Sequence, residues 1–225
     1  MTLKKNFTIF SGHFGCGKTS IAINYALTLS KISNSRITLY DLDIINPYFR
    51  ATDSIKQLKD AGVKLISSQH ANTNAEGNPL PSDVMSAFDN PGDYEVFDIG
   101  GDDVGALALA RYGKWLSNVD VDLLLVVNKM RPLCSTVSTA YENMRAIERT
   151  AGLKFTGIVN NTNLGKETTK EIIINSLPYA NELSDLTGLP IVFTTIKRDL
   201  EPELSNIIEN ICPIDIFEKP GWAVY

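Results

Sequence analysis

The residues best placed to do chemistry are Gly12-His13-Phe14-Gly15-Cys16-Gly17-Lys18-Thr19, which fit the spacing G-x-x-x-x-G-K-[ST] throughout. Glycines at these positions let the backbone curl so that successive N–H groups converge on anionic oxygens. The helix expected at Ser20–Lys31 follows directly and adds the positive end of its dipole. In such a loop the lysine reaches the β- and γ-phosphates of a nucleotide, and the hydroxyl of Thr19 is a ligand for Mg²⁺. The alternative, a glycine turn leading into an ordinary helix, does not call for Lys and Thr together at the loop's end.

A phosphate-bound cation calls for a carboxylate, and two acidic segments offer one. Tyr94-Glu95-Val96-Phe97-Asp98-Ile99-Gly100-Gly101 puts Asp98 at the end of an apolar strand, followed by two glycines that can hinge. Asp98 is read as a metal ligand and Gly100 and Gly101 as a switch responsive to the γ-phosphate; the competing role for Asp98 is a strand-to-loop cap. Tyr40-Asp41-Leu42-Asp43 closes another strand, and residues two apart on a strand share a face. Asp43 is the candidate to orient an attacking water and assist the metal, with Asp41 in support; the competing role is a pair of turn carboxylates.

These groups need a scaffold, and the hydrophobic pattern supplies one. Strands are predicted at Phe7–Phe10, Arg36–Tyr40, Val63–Ser67, Tyr94–Ile99, Val121–Val127, Phe155–Val159 and Pro190–Phe193. Helical periodicity marks Ser20–Lys31, Val104–Ser117, Thr136–Thr150, Glu167–Leu177 and Glu201–Ile211. Strand–helix alternation implies crossover connections, hence an α/β, doubly wound, mostly parallel sheet of about seven strands with helices on both faces. The wholly apolar run Leu123–Val127 suits a strand covered on both sides. No linker composition interrupts the alternation, so residues 1–225 read as a single nucleotide-binding domain. The polar segment 67–82 is long for a connection and is either a solvated excursion or an effector loop.

Composition narrows the function further. The 225 residues carry 21 Lys+Arg against 26 Asp+Glu, a net charge of −5, with no basic cluster for a DNA surface. No apolar run approaches a membrane span, and the C-terminal segment is not a basic amphipathic helix, so no membrane partner is expected. Three isolated cysteines, Cys16, Cys134 and Cys212, set up neither a disulfide framework nor a C-x-x-C metal pattern. Cys16 among inward-facing amides is either a reactive thiol or a small residue that fits the loop. Cytoplasmic residence is the expectation.

The phosphate loop, the D-x-D pair, the Asp98-Ile99-Gly100-Gly101 segment and Gly157-Ile158-Val159-Asn160-Asn161 together resemble the MinD/ParA-like P-loop ATPases of the SIMIBI class. The resemblance implies ATP and Mg²⁺ as cofactors, ADP as product, Asp43 as the switch aspartate, and Asn161 as the reader of adenine, with 194–198 flanking the base. It also implies a protein partner and a homodimer. In that family a signature lysine stands two positions into the loop and reaches the partner's phosphates; here the position holds His13, which is no permanent charge. Arg50, Lys129 and Arg131 are the candidate replacements. Asn128-Lys129-Met130-Arg131 lacks the acid of the guanine-reading N-K-x-D, which favours ATP. The implied activity is slow ATP hydrolysis driving a switch. Two other readings use the same residues: a nucleotide-gated regulatory or assembly module with little hydrolysis, and an ATP-dependent ligase or transferase of the dethiobiotin-synthetase type.

Overall fold

A computed structural model describes residues 5–32, 35–42, 52–67, 82–101 and 103–216. Asp43, Arg50 and residues 68–81 of the long polar segment lie outside the described residues.

Eight strands form one sheet: β1 (Phe7–Ser11), β2 (Ile37–Asp41), β3 (Lys64–Ser67), β4 (Tyr94–Asp98), β5 (Val121–Val127), β6 (Gly157–Asn160), β7 (Ile191–Lys197) and β8 (Ile211–Ile214). Their spatial order is β3-β2-β4-β1-β5-β6-β7-β8, and every pairing is parallel. The helices are α1 (Lys18–Ile32), α2 (Thr52–Asp60), α3 (Ser82–Asp89), α4 (Asp103–Leu116), α5 (Val137–Ala151), α6 (Lys170–Ile174), α7 (Leu177–Thr187) and α8 (Glu201–Leu204).

The two-residue period of the strands sorts their side chains into two cores. Phe7, Ile9, Phe97, Leu123, Leu125 and Val127 pack under α3, α4, α5 and α7. Phe10, Val96, Leu124 and Val126 face the other way, against Ile21, Ala22, Tyr25 and Leu29 of α1 and Leu58 of α2. Helices therefore cover both faces, which is why Leu123–Val127 has no polar side to offer.

The C-terminal third departs from the expected elements. The predicted helix over 201–211 stops after Leu204, and Asn210 turns the chain with φ 53° before the extra strand β8. Leu204, Ile208 and Ile211 keep a helix-like spacing, yet they close a small core over Ile173 and Ile196. Pro213 is tolerated because β8 is an edge strand with one neighbour. The predicted helix over 167–177 is shortened to α6, and α7, a helix the sequence pattern does not mark, starts at its end with Pro178 in the first turn. Helices α2 and α3 were not marked by the sequence pattern.

The chain runs from β1 outward through β2 and β3, returns to place β4 beside β1, then continues on the other side through β5 to β8. Loops leaving the carboxyl ends of the strands flanking such a reversal part to opposite faces and leave a crevice, and open α/β sheets bind ligands there.

Candidate functional site

The glycine loop leaves β1 at that reversal. Gly12, Gly15 and Gly17 have φ of 150°, 79° and 85°, the region L side chains avoid. Gly12 also needs its missing side chain for space, since a Cβ there would lie 2.3 Å from the Val126 carbonyl oxygen. The Cys16 N–H donates to the His13 carbonyl at 3.2 Å, and the Ile21 N–H to Gly17 at 3.1 Å, so the loop passes directly into α1. Lys18 is buried, whereas Phe14 stands 57% exposed at the tip. The His13 Nδ1 pairs with the Phe14 carbonyl at 3.0 Å, turning the ring back on its own loop. Ser20, partly buried, sits in the first turn of α1.

Thr19 and Asp98 meet: the threonine hydroxyl donates to Asp98 Oδ2 across seventy-nine residues of sequence. Asp98 is 1% exposed and lies in register with Phe10 on β1 and Asp41 on β2. The Ile99 N–H donates to Phe10 at 3.1 Å and the Leu42 N–H to Asp98 at 2.9 Å, locking the three strand ends together. Gly100 and Gly101 follow. A Cβ on Gly101 would lie 1.6 Å from the Gly12 carbonyl oxygen, so the two glycine segments are in backbone contact.

Sequence reasoning missed how the far side of the loop is held. Asn161, 1% exposed, donates its amide to the Cys16 carbonyl at 2.6 Å and accepts from the Thr195 hydroxyl at 2.6 Å. Gly17 makes room for it, since a Cβ there would lie 2.4 Å from Asn161 Nδ2. Neighbouring amides interlock: Asn128 Nδ2 donates to the Asn163 carbonyl at 3.2 Å, and Asn160 Nδ2 to Ser176 at 2.8 Å. The run of Asn and Thr at 160–163 was the available signal, but its partners come from the glycine loop, the end of β5, the α6–α7 link and β7.

Of the candidate replacement cations, Lys129 donates its ammonium to the Asn175 carbonyl at 3.1 Å. Arg131 instead brings its Cδ and Nε to 3.9 Å from where a Cβ of Gly15 would stand, beside the loop. Cys16 and Cys134, both buried, are in contact at 3.2 Å between their sulfurs. A shallow cleft of about 460 Å³ opens where β7 and β8 end, lined by Lys166, Lys197, Arg198, Asp199 and Asp215. Arg198 pairs with both oxygens of Asp215, at 2.8 and 2.9 Å, and this guanidinium holds the carboxyl below its ordinary value.

Sheet order, glycine loop and buried carboxylate together follow the layout of a known fold. The fold is that of the P-loop nucleoside triphosphatases. Solved structures that share it include a putative plasmid partition protein from Borrelia burgdorferi B31 bound to AMPPNP. It matches with TM-score 0.52 and 16% identity over 90% of this chain and 89% of that one. Chloroplast FtsY from Physcomitrella patens matches with TM-score 0.54 and 13% identity over 86% of this chain and 59% of its own. The signal recognition particle receptor FtsY from Elizabethkingia anophelis, in complex with GDP, matches with TM-score 0.51 and 18% identity over 87% and 58%. The chain spans about three-fifths of the length of these receptors. No protein-family model matches the sequence, and no curated protein matches it by sequence. Among the described residues, no helix is long and apolar enough to cross a membrane.

Proposed function

We propose that the protein binds a purine nucleoside triphosphate with Mg²⁺, ATP in preference to GTP, and hydrolyses it slowly as a switch sensed by a protein partner. The observation that carries this reading is the Thr19–Asp98 contact beside the glycine loop. It joins the hydroxyl and the carboxylate that the motif requires at one point on the carboxyl edge of the sheet. The donor set fits a cation that keeps part of its water shell: two hard oxygen ligands, with phosphate oxygens to complete the sphere. Mg²⁺ held by Thr19 and Asp98 would neutralise charge on the β- and γ-phosphates.

The chain's own groups supply the remaining work. The N–H groups of 12–17 and the start of α1 hold the phosphates, and Lys18 binds the β/γ oxygens. Asp43 is proposed to orient the attacking water, with Asp41 beside Asp98 in support. Gly101, in contact with Gly12, is positioned to transmit a change at the γ-phosphate into the segment that precedes α4. Arg131 is proposed as the second cation near the phosphates, supplied by the same chain where the family uses a partner's lysine. Asn161 is committed to Cys16 and Thr195, so we assign it first to bracing the loop. Contact with the base then falls to it only if it leaves those partners, and otherwise to the Lys166–Arg198 cleft. A homodimer and cytoplasmic residence belong to the same proposal.

Lys18→Ala is the direct test. The wild type is expected to bind MgATP and turn it over measurably in a phosphate-release assay, and the variant to bind about a hundredfold more weakly and to lose turnover. A variant as active as wild type would refute the assignment. His13 in place of the signature lysine favours a second reading, a nucleotide-gated module with little hydrolysis. Tight ATP binding without single-turnover cleavage, in the presence of candidate partners, would select it.

A further inference from the structure

Cys16 and Cys134 are 118 residues apart in sequence, yet their sulfurs lie 3.2 Å from each other. Both side chains are buried, at 0% and 2% exposure. Each is held by a different anchored segment. Cys16 is fixed in the phosphate loop by its N–H to His13 and by Asn161 on its carbonyl. Cys134 ends the short helical turn Pro132–Cys134, whose amide donates to Arg131 at 2.9 Å and whose Leu133 carbonyl accepts from Asn143 of α5 at 2.7 Å. A sulfur–sulfur bond is about 2 Å long, so roughly 1 Å of approach joins the two segments.

We propose that Cys16 and Cys134 are a reversible disulfide site through which a hydroperoxide controls the phosphate loop. The bond itself does not depend on the nucleotide reading; its effect on function rests on that reading.

The local charges suit this division of labour between the two thiols. Cys16 is held below its ordinary value, first by its hydrogen bond with Cys134, with the positive charges of Lys18 and Arg131 acting the same way against the opposing effect of burial. Cys134 is pushed up by the same contact and by burial. Cys16, two residues from Lys18 in the same loop, is taken as the attacking sulfur and Cys134 as the resolving thiol. In the first step the Cys16 thiolate attacks one oxygen of the hydroperoxide and the O–O bond breaks. A sulfenic acid forms, and the other oxygen leaves as water or alcohol after taking up a proton. In the second step the Cys134 sulfur attacks the sulfenic sulfur, the S–O bond breaks, and water leaves with the Cys134 proton. Two electrons pass from the sulfurs to the peroxide, and two thiols become one disulfide.

The consequence follows from what the loop must do. Its N–H groups bind phosphate only if they converge, and a displacement of roughly 1 Å at such a site can cost a factor of ten to a hundred. Drawing Cys16 toward the Pro132–Cys134 turn pulls on the loop between His13 and Gly17. It also strains the Asn161 contact to the Cys16 carbonyl. Cys212, 3% exposed and on β8, has a thiol raised to about 11 by burial and serves as the internal control.

The test is to treat the reduced protein with hydrogen peroxide and digest it with trypsin without reductant, while MgATP affinity is measured on the same samples. The expected result is a linked pair of fragments, Asn6–Lys18 with Met130–Arg145, Cys212 still free, affinity weakened about tenfold or more, and both changes reversed by dithiothreitol. Cys134→Ser is expected to give no linked pair and to keep its affinity after peroxide. Failure to find the linked pair, or a pair involving Cys212, overturns the proposal. A linked pair with unchanged affinity overturns its control of the loop. If the reduced protein takes up no nucleotide, the functional reading fails while the fragment map still decides the bond.

Discussion

The two sides of the glycine loop are held by different physics. On the side of β4, contact is backbone on backbone: Gly101 against Gly12, and strand-end amides in register around Asp98. On the side of β6 and β7, contact is side chain on backbone, with Asn161 bridging Cys16 and Thr195 inside an interlocked set of amides. The first arrangement tolerates no added atom. The second can lose one partner and relax. The β4 side therefore fixes the loop's shape, and the β6–β7 side its stiffness.

Gly101→Ala should break the first side outright. Its methyl would occupy the place of the Gly12 carbonyl, so a loss of about 3 kcal/mol or more is expected, read as a large fall in the thermal midpoint. A soluble variant with wild-type stability would mean that the two glycine segments are not packed as described.

Lys18→Ala leaves both sides of the loop intact and removes the buried charge between them. Nucleotide affinity should fall about a hundredfold, the scale of losing hydrogen bonds to a charged group, with little change in the thermal midpoint. Calorimetric titration beside a melt separates the two effects.

Asn161→Ala should sharpen the contrast. It leaves a buried carbonyl and a buried hydroxyl without this partner, at a cost of about 1–3 kcal/mol. Fold should survive, and amide exchange in the loop should speed up. If exchange in the loop does not change, Asn161 is not its brace.

Far out on the β7–β8 edge the expected effect is smallest. Arg198 holds the Asp215 carboxyl below its ordinary value of 3.8, so the stabilisation is present above that value and fades as pH falls through the depressed one. The pair is largely exposed, so only a few tenths of a kcal/mol are expected. Arg198→Gln should remove that acid-range dependence in denaturant melts.

Legibility in the sequence follows the same division. The glycine loop and the Asp98 strand could be read because residue type and spacing dictate their backbone geometry. The seven predicted strands are present within a few residues, since both-face burial leaves unmistakable apolar runs such as Leu123–Val127. The strand β8 was hidden because Ile208 and Ile211 keep a helical spacing and Pro213 argues against a strand anywhere but an edge. The Asn161–Cys16, Cys16–Cys134 and Arg131–Gly15 contacts were invisible for another reason. Each joins segments more than a hundred residues apart, and only the strand order brings them together.

The most direct test of the central claim, that Thr19 and Asp98 form one cation-dependent triphosphate site with the glycine loop, is a calorimetric titration of ATP into the wild type and Asp98→Asn, each with Mg²⁺ and with EDTA. Saturable uptake by the wild type that strengthens with Mg²⁺ is the predicted result, with that metal dependence lost in Asp98→Asn. No uptake by the wild type, or a variant whose response to Mg²⁺ equals that of the wild type, would contradict it.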